Sequence, residues 1–241
     1  MPAGEIFKNA GYEQDPRWTA VDDYTLAHLQ PSSREYNQHL DYAIKASRDE
    51  GLPPISSSPV IAKFLALQCS IGNVKNALEV GTLGGYTSIF IAKLNPDIHI
   101  TSVEINPKHA EVARQNVTRA GVGDRVEIIV GPGLEVLPQL KRDIEEGRRQ
   151  PFGFTFIDAD KENNWAYFDI AVTMSTSKGC IFVDNIVRSG RLVDEKEFGE
   201  VSIKGAREVI EMAGKDNRVE AVAVQTVGEK TYDGFVMAVC K

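Results

Sequence analysis

The stretch Asn76-Ala-Leu-Glu-Val-Gly-Thr-Leu-Gly-Gly-Tyr-Thr-Ser88 restricts the fold more than any other part of the chain. Residues 76–80 are an apolar run of strand length, 81–85 are rich in glycine, and the apolar spacing from Tyr86 onward is helical. A strand that enters a helix through a glycine turn brings bare backbone and a helix N-terminus to one edge, where amide N–H groups favour a negatively charged ligand. A second strand over 98–104 ends on Glu104, 23 positions after Gly81. That is close to the roughly 20 at which a ribose-binding carboxylate follows such a turn. The expected site is therefore a nucleoside site in an α/β fold.

The alternation continues downstream. Strands over 125–130, 152–158 and 179–184 are separated by helices over 107–120, 134–146 and 164–175. Asn106-Pro107 supplies an N-cap and a first helical proline, and Gly121 a stop. Five strands joined by helices imply a parallel sheet with right-handed crossovers. Ligands of such sheets collect beyond the carboxyl ends of the strands, where Glu104, Asp158 and Asp184 lie. Strands over 218–226 and 232–240 are joined only by Val227-Gly-Glu-Lys-Thr231, so they pair as an antiparallel hairpin at one sheet edge. Upstream, residues 1–20 read as irregular, with Pro2, Gly4, Gly11 and Pro16 as breakers. Residues 21–48 read as two helices divided by Pro31-Ser-Ser33, and the serines of 51–59 adjoin a helix over 60–70. The expected organisation is an N-terminal arm with helices over 1–50, covering substrate or a dimer contact, followed by one α/β domain over 51–241. A chain of 241 residues suits a single core.

A net charge of −7 without a long Lys/Arg run argues against nucleic acid as a partner. Cys69, Cys180 and Cys240 stand in separate apolar contexts without a Cys-x-x-Cys pair, which disfavours zinc or a disulfide framework. The first eight residues lack a signal-peptide core, and no window has the length of a membrane span. A cytoplasmic protein without membrane contact is expected.

Two constellations point to chemistry. The turn is Gly-x-x-Gly-Gly, so the dinucleotide pattern Gly-x-Gly-x-x-Gly fails at its second glycine. What remains, Glu79-x-Gly81-x-x-x-Gly85, sets an acid beside the turn that suits a cationic amine, hence an amino-acid-bearing nucleoside. The second set is Phe156-Ile-Asp158-Ala-Asp160-Lys161 with Phe182-Val-Asp184-Asn185. Two strand-end acids and an amide carbonyl, without His or Cys, form an oxygen-only set suited to Mg²⁺, with Mn²⁺ or Ca²⁺ as alternatives. Strand-end Asp and Asn also serve as caps, and Asp160 reads as one.

These motifs, with Val103-Glu-Ile-Asn-Pro107, Ser189-Gly190 and Tyr232-Asp-Gly234, resemble the cation-dependent class I O-methyltransferases over roughly residues 50–241. Members of that family use S-adenosylmethionine, and the closest groups are the caffeoyl-CoA and catechol types. The resemblance implies a Rossmann-like, doubly wound, seven-stranded sheet with helices on both faces and an antiparallel last strand, commonly as a homodimer. It implies that Ser57, Glu79, Gly81, Thr82 and Thr87 meet the methionine part of the cofactor, with Asp158 also close to it. Glu104 would hold the ribose and Gly133 lie by the adenine. Asp158, Asp184 and Asn185 would be metal ligands, Lys161 the general base, and the acceptor a small aromatic molecule with vicinal hydroxyls. Val209-Ile210 stands where many relatives have Phe-Asn, and residues 1–50 do not match the plant enzymes, so the acceptor stays open.

Trp18, Tyr24, Tyr36 and Trp165 read either as an aromatic acceptor pocket or as core. Arg188 and Arg191 read either as guides for an anionic acceptor or as solvated residues. His28, His39, His99 and His109 lack metal-ligand spacing and read as surface or strand-face residues. Two other functions share part of the pattern: a nicotinamide-dependent dehydrogenase, which has no use for the Asp158, Asp184 and Asn185 set, and a non-catalytic nucleoside-binding protein.

Overall fold

A computed structural model describes residues 15–241; of the irregular arm expected over 1–20, residues 1–14 lie outside them and the remainder is helical from Pro16. Helix α1, Pro16–Leu29, begins where the sequence reading placed a breaker. Proline at a first helical position loses no hydrogen bond, and Asp15 accepts from the Arg17 backbone N–H at 2.8 Å to close the cap. None of the α1 residues is buried. Helices α2, Asn37–Asp49, and α3, Pro59–Ile71, follow. Of the loop serines, Ser58 caps α3 by accepting from Ile61 N–H at 3.3 Å.

The sheet comprises β1 (Asn76–Val80), β2 (His99–Glu104), β3 (Val126–Val130), β4 (Phe152–Ile157), β5 (Ser175–Asp184), β6 (Val219–Val227) and β7 (Tyr232–Cys240). Its order is β3-β2-β1-β4-β5-β7-β6. The pairings from β3 to β5 are parallel, whereas β7 runs antiparallel to both β5 and β6. The expected seven-stranded Rossmann-like sheet, its antiparallel last strand and its edge hairpin are all present. The order reverses between β1 and β4, so their carboxyl ends open a crevice.

Between the strands run α4 (Tyr86–Leu94), α5 (Pro107–Arg119), α6 (Gly133–Glu145), α7 (Asn164–Met174) and α8 (Val201–Ala213). Strand periodicity divides the core between two faces. Phe154, Phe156 and Phe182 pack with Leu65, Ile89 and Phe90 of α3 and α4. Leu78, Ile157, Ile181 and Val183 pack with Leu137, Phe168 and Ala206 of α6, α7 and α8. No element is expected over 186–217, yet α8 occupies Val201–Ala213 within it, and its buried Ile203, Ala206, Val209 and Ala213 follow a helical period.

The three cysteines are free thiols, but they are not separate. Cys180 of β5 lies near enough to Cys69 of α3 and Cys240 of β7 for the thiols to perturb one another. Burial is the larger influence and pushes Cys180 up to about 12. Residues remote in sequence meet because β5 and β7 are adjacent and α3 crosses them. No described helix is long and apolar enough to cross a membrane.

Candidate active site

At the carboxyl ends of β1, β2, β4 and β5 lies a cleft of about 640 Å³, within the size range of small-molecule sites. Gly81 sits at its base with φ +102°, and a Cβ there would stand 2.2 Å from the Asp158 backbone oxygen. Only glycine lets the ends of β1 and β4 close to this distance, which fixes the turn against the acid-bearing loop. Leu83 adopts φ +49°, and its N–H donates to Glu104 Oε2 at 2.8 Å. Asn106 N–H donates to Glu104 Oε1 at 2.9 Å. Backbone donors thus orient both carboxylate oxygens, each keeping acceptor capacity towards the cleft. His109, read as a surface or strand-face residue, lies in the wall with Nδ1 3.6 Å from Glu104 Oε1.

Glu79 is buried and stands behind the cleft-lining residues. Ser88 and Ser102 both donate to its Oε2 at 2.6 Å. Because Ser102 uses its only hydrogen there, the hydroxyl of Thr82, 2.6 Å from Ser102 Oγ, donates to it. Thr82 and Thr87 do line the cleft, as does Ser57, which accepts from Thr87 Oγ1 at 3.2 Å. Burial raises the Glu79 carboxyl from 4.5 to about 7, opposed by the two serine hydroxyls and aided by the charges of Asp158 and Glu104.

A carboxyl whose pKa is higher folded than unfolded keeps its proton in the native state while the unfolded chain loses it. Stability therefore falls as pH rises from 4.5 to about 7. Glu79→Gln, which can keep accepting both serine hydroxyls, is expected to remove this loss, worth about 3 kcal/mol at pH 8. Thermal melts at pH 5 and pH 8 check it: the variant should gain on the wild type only at the higher pH, and an equal offset at both would reject the assignment.

Gly133, at the start of α6, lines the cleft against the ring of Tyr167, whose nearest atom would be 2.7 Å from an added Cβ. The Tyr167 hydroxyl donates to Asp160 Oδ1 at 2.6 Å. Asp160, read as a helix cap, makes no side-chain bond to the backbone there. It accepts instead from the Tyr167 hydroxyl and the Asn163 side-chain amide, and it lines the cleft. Tyr167 escaped notice because it occupies one of the buried apolar positions of α7.

The structure brings the strand-end acids and the amide to one edge of the cleft. Asp158 and Asn185 line the cleft with Asp184 beside them, and Lys161 Nζ donates to Asp158 Oδ1 at 2.6 Å. Burial holds Asp184 well above the ordinary carboxylate range, reinforced by the charge of Asp158 and partly relieved by Lys161. Asn185 adopts φ +59° and donates from Nδ2 to Asp233 Oδ2 at 3.3 Å. Two carboxylates crowded together with an amide, and with one lysine as counter-charge, form a donor set that fits a hard divalent cation. No group of three or more His, Cys, Asp and Glu suited to a metal occurs among the described residues, so a cation here would depend on the amide oxygen and on ligand oxygens.

The aromatic residues singled out in the sequence are elsewhere. Tyr36 packs on Phe90 with ring centroids 5.4 Å apart, Trp165 stacks on Phe168 at 5.7 Å, and Tyr24 is exposed. Neither they nor Trp18 line the cleft; among the described residues Tyr86, Phe156 and Tyr167 supply its aromatic rings, and Trp165, on the same helix as Tyr167, packs on Phe168 instead. Of the two arginines, Arg188 lines the cleft, whereas Arg191 pairs with Glu197 at 2.6 Å.

The family model described as O-methyltransferase matches residues 30–238. The chain is 53% identical over 238 residues to O-methyltransferase imqG of Aspergillus flavus, covering 98% of this chain and 96% of the relative. It is 39% identical over 235 residues to the catechol O-methyltransferase of Mycobacterium tuberculosis, covering 96% and 100%. Among solved structures, the O-methyltransferase from Bacillus cereus in complex with SAH superposes with a TM-score of 0.86 at 41% identity, covering 93% of this chain and 99% of that one.

Proposed function

The chain belongs to the O-methyltransferase family, and from that premise we propose that it moves a methyl group from S-adenosylmethionine to one hydroxyl of a vicinal dihydroxy aromatic molecule, with a divalent cation. Family membership displaces the dehydrogenase alternative, and the methyltransferase class displaces the non-catalytic one. The observation that carries the reading is the meeting of Asp158, Lys161, Asp184 and Asn185 beside the same cleft whose other end holds the oriented Glu104 carboxylate.

In this reading Glu104 accepts from the ribose hydroxyls, with its oxygens already aimed by Leu83 and Asn106. Ser57, Gly81, Thr82 and Thr87 surround the amino-acid part, and Glu79 supports them from behind through Thr82, Ser102 and Ser88. Gly133 leaves a flat surface for the base beside Tyr167. The bound cofactor would supply an electrophilic sulfonium methyl, and a Mg²⁺-type cation on Asp158, Asp184 and Asn185 would lower the pKa of an acceptor hydroxyl that is otherwise near 10. With a dication beside it disfavouring the charged form, Lys161 would be a neutral amine able to accept the hydroxyl proton as the methyl passes from sulfur to that oxygen. Arg188 in the wall favours an acceptor with an anionic substituent.

A screen of vicinal diols with the purified chain tests this, with Mg²⁺ and with chelator. Monomethylation that is lost with chelator and restored by Mg²⁺ is expected, strongest for catechols bearing a carboxylate. Equal turnover of monohydroxy phenols with chelator present would reject the cation and diol parts together.

A homodimer is part of the same proposal. It is supported by α1, which buries none of its side chains and leaves Val21, Tyr24 and Leu29 exposed, and by the outer strand β6, which exposes Val222 and Val227. Sedimentation of a monomer at micromolar concentration would remove it.

A further inference from the structure

Asp233 belongs to the Tyr232-Asp-Gly234 motif, and none of the roles above uses it. It lies near the start of β7 and lines the cleft beside Asn185. Its Oδ1 accepts three backbone N–H groups, from Val187 at 3.0 Å, Arg188 at 2.9 Å and Gly234 at 2.9 Å. Its Oδ2 accepts from Asn185 Nδ2 at 3.3 Å. The loop it holds is a strained one: Asn185, Arg188 and Ser189 have φ of +59°, +56° and +56°, a region disfavoured for residues with a Cβ. Ser189 N–H adds a bond to the Tyr232 carbonyl at 3.1 Å. A loop in this conformation keeps its shape because β7 clamps it.

The contact with Asn185 does more than clamp. A primary amide has a donor end and an acceptor end, and only the oxygen can bind a cation. A neutral partner could accept the Asn185 amide in either orientation. A carboxylate has no hydrogen to give, so it takes the Nδ2 end and leaves Oδ1 as the end available to the cleft. We propose that Asp233 is a positioning residue which commits the amide nitrogen of Asn185 and thereby presents its oxygen to a divalent cation. The inference rests on the reading of Asp158, Asp184 and Asn185 as ligands.

The test is a titration of the full chain with Mn²⁺, read by electron paramagnetic resonance of the free ion, for the wild type and variants. In Asp233→Asn, Oδ1 can keep its three backbone bonds, but an NH₂ group then faces the Asn185 NH₂, and the Asn185 amide turns to relieve the clash. Mn²⁺ binding is expected to weaken by roughly 10- to 100-fold, with S-adenosylhomocysteine affinity unchanged by calorimetry. Adding Asn185→Asp to that variant should restore most of the Mn²⁺ affinity, since a carboxylate offers oxygen at both ends. A merely structural role for Asp233 predicts no such rescue.

Wild-type affinity in Asp233→Asn, or a loss that the double variant leaves unrepaired, overturns the proposal. If the wild type fails to bind Mn²⁺, or Asp184→Ala binds it equally well, the cation reading itself falls and takes this inference with it. Should Asp233→Asn fail to fold, a crystal of the wild type soaked in Mn²⁺ decides the matter. Asn185 bound to the ion while still bonded to Asp233 supports the proposal, and Asn185 bound to the ion but parted from Asp233 overturns it.

Discussion

Replacing Asp184 with alanine is expected to lower methyl transfer by about 10³-fold or more while leaving S-adenosylhomocysteine binding nearly unchanged. Asp184 ends β5, one strand beyond the β1–β4 crevice where the glycine turn and Glu104 would hold the nucleoside. Its removal should therefore spare the cofactor end of the cleft. In the native protein this carboxylate is disfavoured as an anion by burial and by Asp158, a cost that Lys161 relieves only in part. Relief of that cost gives the alanine variant an equal or higher Tm in chelator. Rate assays with and without Mg²⁺, calorimetry with S-adenosylhomocysteine and melts in chelator together check the prediction. Full activity of the variant, or a large loss of cofactor affinity, would sink the assigned role.

Lys161→Met should reduce kcat by roughly 10²- to 10⁴-fold, the range for loss of a positioned proton acceptor. KM for the acceptor should change little, and the limb of the rate that rises with pH should flatten. The side chain is held by Asp158 at 2.6 Å, and the backbone is held by α8. A Cβ on Gly205 would lie 2.0 Å from the Lys161 carbonyl oxygen, so this helix packs directly on the segment. Gly205→Val should then reproduce much of the kcat defect without altering any group in the cleft wall. If Lys161→Met retains the wild-type pH–rate profile, the lysine is a counter-ion for Asp158 and the base lies elsewhere.

The sheet and its ligand edge were legible because strand and helix signals there are local. The apolar runs at 76–80 and 152–157, the glycine turn and the Asn106-Pro107 start each depend on neighbours within a few positions. Pro16 was misread because the same residue that breaks a helix interior opens a helix at its first position, and only the Asp15 cap distinguishes the two. Helix α8 was missed although Ile203, Ala206, Val209 and Ala213 carry its period, since the charged Lys204, Arg207, Glu208 and Glu211 between them mask so narrow a stripe. Asp160 and Tyr167 were missed as a pair because a carboxylate next to an asparagine-rich segment looks like a cap until the helix places a hydroxyl over it.

By itself the sequence determined which residue types close each strand: glycine after β1, carboxylates after β2, β4 and β5, and an amide after the last of these. That placement follows from the two-residue period of strands and the chemistry of turns, both short-range. Only the tertiary structure decided what those groups face. Glu79 turned inward to two serines, Glu104 was aimed by two backbone amides, and the Asn185 amide was engaged by an aspartate 48 positions away. The reason is physical. Hydrogen-bond direction depends on which strands become neighbours, and the order β5-β7-β6 brings Asp233 to Asn185 through a pairing that no local pattern encodes.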